Sequence, residues 1–239
     1  MPNSIEKYPT CRRHVLKMTG VAGVIASILP AVQISLATGT HEHIVRAAAK
    51  PRPRSEATFQ TTALLRDLWI SHIFWVRSVS LAAIESNDAA METAQQQAAT
   101  NAQGIAASIE PFYGPTVKEE LHELLSDHYR SIKTYLVGIM SSNMSIQAAA
   151  TQSIASNAGE IATCLNRANP YLPKDEFHSL LLAHGGHHIQ QIQELMDRNF
   201  MMEAKTWEDM KAHVYQIADV TADALAKQFP KQFLAEHLE

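Results

Sequence analysis

The sequence predicts an all-α protein, a helical bundle of six helices made from three helical-hairpin repeats of about 56 residues. Three observations carry that expectation. Apolar residues recur at steps of three and four, as in Leu65, Leu68, Trp69, His72 and Val76. Residue identities also repeat at a step of 56: His72, His128 and His184; Asn87, Asn143 and Asn199; Leu68, Leu124 and Leu180. Ile105, Ile161 and Ile217 keep the same register later in each unit, each followed by alanine. Composition is the third: only 9 Gly and 10 Pro in 239 residues leave few places to interrupt a helix.

Residues 1–37 read as a twin-arginine-type signal segment. Arg12, Arg13 and Lys17 precede an apolar or small stretch from Met18 to Ala37, with the paired arginines, Leu16 and Lys17 in the export register. Ser35-Leu36-Ala37 is a small-x-small cleavage site. The alternative is an uncleaved anchor, since the run approaches the ~20 residues needed to span a bilayer; Pro30 and the mild hydropathy weigh against it. The signal implies the export machinery as a partner and an exported location, periplasmic or on the outer face of the cytoplasmic membrane. Residues 38–55 read as a disordered linker, in which Pro51 and Pro53 alternate with Arg52 and Arg54. Residues 56–239 form the helical-bundle domain.

Within that domain the expected helices run over 56–86, 88–109, 116–142, 144–167, 174–198 and 203–228. Asn87, Asn143 and Asn199 are expected to stop the first helix of each hairpin in the left-handed conformation that Asn tolerates. Pro111 to Pro115 and Asn169 to Pro173 are expected to break the chain between hairpins, because proline cannot continue a helix from its interior. Glu119-Glu120 and Asp175-Glu176 then suit helix N-termini. The hairpins can stack as an open solenoid or close about a pseudo-threefold axis; equivalent core histidines in every copy fit closure better.

The net charge is −4, and residues 1–37 hold four of the cations (Lys7, Arg12, Arg13, Lys17) and one anion (Glu6), which puts the remainder at −7. An acidic body argues against nucleic acid as a partner. Of the 2 cysteines, Cys11 lies in the signal, so Cys164 has no intrachain partner in a processed chain and reads as a small buried hydrophobe.

His72, His128 and His184 occupy one position of the first helix of each unit, inside the apolar stripe. If the bundle closes, three imidazoles converge, a ligand set suited to zinc, copper or iron. His188, one turn beyond His184, stands where the other units have Val76 and Ile132 and offers a fourth nitrogen. Asn101, Asn157 and His213 are the matching polar positions of the second helices, placed to orient the histidines. The competing reading makes each His–Asn pair a hydrogen-bonded core pair that fixes helix register, in a metal-free structural, ligand- or partner-binding module of the cell envelope. Geometry separates the two. Ring nitrogens within about 2–4 Å of one point favour metal, whereas histidines more than about 10 Å apart, each with its own Asn, exclude it.

Other candidates are weaker. Glu119-x-x-His122 points off the stripe; Asp219 and Asp223 are expected to be exposed; Arg77 is placed to grip an anion or snorkel; Met196, Met201, Met202 and Met210 gather near the last hairpin turn as core filler. There is no G-x-x-x-x-G-K-[ST], G-x-S-x-G, H-E-x-x-H or C-x-x-C, so neither a nucleotide cofactor nor a catalytic residue is assigned.

The segments Leu64 to Arg77, Pro111-Phe112-Tyr113-Gly114, Leu124 to His128, Asn157-Ala158, Asn169-Pro170-Tyr171 and Lys227 to Phe233 resemble a family of small bacterial all-helical proteins without established function. Some of its members are labelled acetylglutamate kinase or glycosyltransferase, labels that no nucleotide-binding element in this sequence supports. The resemblance spans residues 60–233 and implies that His72, His128, Asn157 and His184 matter. Two features depart from the family: the export signal, and Ser153 to Ser156, where relatives carry an aromatic residue.

Overall fold

A computed structural model describes residues 55–233; the signal segment and nearly all of the linker lie outside the described residues. Seven helices follow one another: α1 (Glu56–Ile84), α2 (Asp88–Ser108), α3 (Glu110–Met140), α4 (Met144–Ala168), α5 (Lys174–Met196), α6 (Phe200–Gln228) and α7 (Pro230–Phe233). No strand occurs among the described residues. The expected six helices are therefore joined by a seventh, a single turn restarted at Pro230. None of these helices is long and apolar enough to cross a membrane.

The three tight turns share one geometry. Ser86, Ser142 and Arg198 take positive φ of 56°, 53° and 56°. Asn87, Asn143 and Asn199 donate their N–H to Ala82, Gly138 and Glu194 oxygens at 2.8 Å in each case. The preceding residue donates to Ala83, Ile139 or Leu195, which completes a Schellman motif. The left-handed residue is thus the one before each Asn, not the Asn itself as the sequence suggested. Each Asn begins the next helix instead, its side chain accepting from the N–H of Ala90, of Ser145 and Ile146, or of Met202. An N-cap oxygen satisfies an otherwise orphaned donor, whereas the left-handed cap is filled here by two serines and an arginine. That is why Asn recurs at one position and not at the other.

The break at Pro111–Pro115 is narrower than expected. Pro111 sits in the first turn of α3, where its missing N–H costs nothing, and only Gly114 leaves helical geometry (φ 76°, ψ 178°). Across Asn169–Pro173 the chain is fully non-helical. The aromatic segments meet here: Phe112 stacks on Phe233 at 5.7 Å and packs on Phe229 at 5.3 Å. Asn169 Nδ2 donates to the Tyr113 hydroxyl at 2.9 Å, and that hydroxyl lies 3.1 Å from Gln228 Oε1.

Each helix packs on the next, and α6 packs back on α1, so the hairpins close into a ring; α1, α3 and α5 also touch one another inside it. The core divides into two apolar clusters. One holds Leu65, Trp69, Leu121, Leu125, Phe177 and Leu181, and the other holds Val76, Ile132 and Ile192. Between them, on the same three helices, lie His72, His128, His184 and His188. The histidines form a polar layer across the middle of the bundle.

Candidate metal centre

The layer is dry. His72, His128, His184 and His188 are 4%, 3%, 1% and 1% exposed. Each offers a ring nitrogen such that all four atoms lie within 4.8 Å of one another, close enough to hold one metal ion. The ring centroids of His72 stand 6.1, 5.4 and 5.5 Å from those of His128, His184 and His188. His184 and His188, one helical turn apart on α5, approach Nε2 to Nε2 at 3.2 Å. A tetrahedron of bonds of about 2.0–2.1 Å has edges of about 3.4 Å, so this edge already has the right length. Trp69 closes the layer on one side, edge-on to His72 at 5.7 Å and to His184 at 5.5 Å.

Burial keeps these imidazoles uncharged. Desolvation, with His128 adding repulsion, pushes the His72 pKa down to about 3. Desolvation takes His128 down to about 4, against its hydrogen bond to Asn157, which raises it. His184 and His188 lie well below the ordinary range, first through desolvation and then through the neighbouring imidazoles. A neutral imidazole carries the lone pair that a metal needs.

The tautomer of His128 follows from its partner. Asn157 Nδ2 donates to Leu124 O at 2.9 Å, which turns its Oδ1 toward His128 Nδ1 at 3.1 Å. An amide oxygen only accepts, so the proton sits on Nδ1 and the lone pair on Nε2. That Nε2 has no protein partner, and neither do His72 Nε2, His184 Nδ1 and His188 Nδ1. Each such buried, unpaired polar atom costs about 1–3 kcal/mol.

The three second-helix positions behave differently from one another. Asn157 orients a cluster histidine as expected. Asn101 Nδ2 donates to Leu68 O at 2.9 Å, but its Oδ1 has no partner, so it does not hold His72 by a hydrogen bond. His213 Nε2 donates to Leu180 O at 2.7 Å, and its ring meets His187 at 5.4 Å rather than the cluster. What the three share is an anchor on the carbonyls of Leu68, Leu124 and Leu180. In a helix those carbonyls face the N–H groups of His72, His128 and His184 four residues on. The second helix of each hairpin is thereby pinned to the turn that carries the histidine.

Arg77 is committed elsewhere. It bonds Glu203 through both Nε (2.6 Å) and Nη2 (3.0 Å), and Gln191 donates to the same carboxylate at 2.9 Å. This network links α1, α5 and α6; Glu203, in the first turn of α6, was not among the residues singled out from the sequence. Asp219 is not left to solvent as expected: Arg66 takes both its oxygens, at 2.8 and 2.6 Å. His122 pairs loosely with Glu119 at 3.7 Å, off the layer. Met210 is fully buried, whereas Met201 and Met202 are exposed, so only the first is core filler. Cys164 is buried, and desolvation pushes its thiol up to about 11. A groove of about 660 Å³ between α3, α4 and α5 is open and of mixed charge, and none of the four histidines lines it.

The fold and the layer together define a closed all-α bundle with a buried polyhistidine centre. Compared with protein-family models, curated proteins and solved structures, the chain finds no match in any of the three.

Proposed function

We propose that this chain is an exported helical-bundle protein that binds one transition-metal ion through His72, His128, His184 and His188, on a domain of three hairpin repeats. The single observation that supports this most is the convergence of four buried imidazoles, each offering a ring nitrogen within 4.8 Å of the others, with Nε2 of His72 and of His128 unpartnered by protein. Four nitrogens without a carboxylate suit zinc, copper or iron; calcium and magnesium demand oxygen ligands. The twin-arginine-type segment supports an exported, periplasmic destination, since that route carries folded proteins and permits metal loading first. The turn and anchor geometry recurring at 56-residue steps supports descent from one hairpin. The acidic body gives nucleic acid no footing, and the chain offers no nucleotide cradle.

A metal-free structural or partner-binding module is the second reading. The His128–Asn157 and His184–His188 hydrogen bonds favour it, because they satisfy part of the layer from within. Metal content separates the readings. The processed protein is isolated from its native compartment and measured by inductively coupled plasma mass spectrometry, beside a His72→Ala/His128→Ala/His184→Ala variant checked for helicity. Near-stoichiometric metal in the wild type, lost from a folded variant, is the expected result. A folded wild type that holds no zinc, copper or iron, even after challenge with each, refutes metal binding.

A further inference from the structure

One histidine position repeats through the three hairpins, but the third hairpin adds residues of its own. His187 stands where the other units have Trp75 and Ser131, Asp209 where they have Gln97 and Ser153, and His213 where they have Asn101 and Asn157. A repeat that had only to pin its helices would keep Asn, because the amide already bonds the carbonyl (Asn101 to Leu68 and Asn157 to Leu124, both at 2.9 Å). His213 makes the same bond, to Leu180 O at 2.7 Å, and has a second nitrogen to spare. A carbonyl only accepts, so the proton is on Nε2 and Nδ1 carries a lone pair. That is the arrangement of a metal-ligating histidine whose far N–H is held by a backbone carbonyl.

These additions meet in space. The rings of His187 on α5 and His213 on α6 lie 5.4 Å apart, edge to face, both only partly buried. Asp209 precedes His213 by one turn on α6 and is paired with Lys205. His187 is also the chain neighbour of His188. The buried centre has at most 4% exposure at any ligand, so an ion that enters the folded protein must cross the bundle wall.

We infer that His187 and His213 form an outer capture site for a divalent transition-metal ion bound for the buried histidines. The inference rests on the metal-binding reading for its destination, but the outer site stands on its own geometry. The pair is less complete than the buried cluster, as a transit site must be if the ion is to leave it.

Metal-stripped full chain is mixed with one equivalent of Co²⁺ in a stopped-flow instrument, and the visible d–d absorption of nitrogen-coordinated cobalt is followed. Wild type is compared with His187→Gln/His213→Gln and with His213→Asn, which keeps the Leu180 anchor and removes the spare nitrogen. The expected result is loading slowed at least tenfold in both variants, with the final absorbance and the helicity unchanged. In parallel, a tenth of an equivalent of Cu²⁺ is added to wild type, and broadening of imidazole resonances is read by NMR. His187 and His213 are expected to broaden before the buried rings. Unchanged loading in His213→Asn, or copper broadening that spares His187 and His213, overturns the inference. If no cobalt band develops in wild type, the buried-centre reading fails. Copper broadening at His187 and His213 then still supports an outer metal site, while its absence removes that too.

Discussion

Acidifying the metal-stripped protein tests the electrostatics of the layer directly. His72 and His128 titrate near 3 and 4 in the folded state against 6.5 when exposed. The unfolded chain therefore binds more protons than the folded one below pH 6.5, and stability falls as pH falls. The loss begins at the unfolded pKa and continues down to the folded values. Between pH 7 and pH 5 each of these two histidines costs about 2 kcal/mol, about 4 kcal/mol together. His184 and His188 shift the same way, by burial and mutual repulsion, and add to the loss. Glu203 works in a different window. Its carboxyl is held down chiefly by Arg77, so its contribution persists above 4.5 and is lost only below that. The range from pH 7 to 5 thus isolates the histidines. Urea unfolding in EDTA, followed by circular dichroism at pH 7, 6 and 5, reads the effect. With a slope of about 2 kcal/mol/M, a 4 kcal/mol loss moves the midpoint down by about 2 M. A midpoint that shifts by less than about 0.5 M would refute the reasoning, because it would require imidazoles that are solvated or already protonated in the fold.

Other consequences are as direct. Zinc at a hundred times its dissociation constant should stabilise the protein by about 2.7 kcal/mol and raise Tm by about 5–10 °C in differential scanning calorimetry; an unmoved Tm at saturating zinc contradicts a native-state site. A Cβ on Gly185, beside His184, would meet Ile154 Cγ2 at 2.4 Å, so Gly185→Ala should force α4 and α5 apart at the layer. The expected cost is about 1–3 kcal/mol by urea denaturation, with weakened metal uptake; full retention of both would mean that Ile154 yields freely. Arg198 has positive φ and only an exposed ion pair, at 3.6 Å to Glu85, to lose. Arg198→Gly should therefore raise stability by about 0.5–1 kcal/mol, and a drop would show that the side chain anchors more than that pair. Asn157→Ala removes both the Leu124 anchor and the His128 partner. It should destabilise by about 2–3 kcal/mol, more than Asn101→Ala, which loses one bond.

Much of the fold was legible because helices write themselves into short-range sequence. The 3–4 spacing, the recurring Asn and the proline breaks each depend on residues within a few positions, and helix ends fell within three residues of expectation except the start of α3, which comes six residues earlier, at Glu110. The αL position was misplaced by one, since Schellman geometry and N-capping compete for the same Asn and the backbone accepts Ser or Arg before it. The stripe likewise identified His72, His128, His184 and His188 as one set. What the stripe held no information about was distance. Closure of α6 onto α1 turns three separate hairpins into a ring, and only then do residues 56 and 112 positions apart share one dry layer. The partners of long polar side chains were also beyond the sequence. Arg77 finds Glu203 126 residues away and Arg66 finds Asp219 153 residues away, because ion pairs across a closed bundle obey packing and not periodicity. The sequence by itself determined the helices, their turns and the candidate ligands, since those rest on local backbone chemistry. Tertiary structure alone decided that the ligands meet, that Asn101 and His213 pin backbone carbonyls instead of cluster histidines, and that burial leaves the meeting imidazoles neutral.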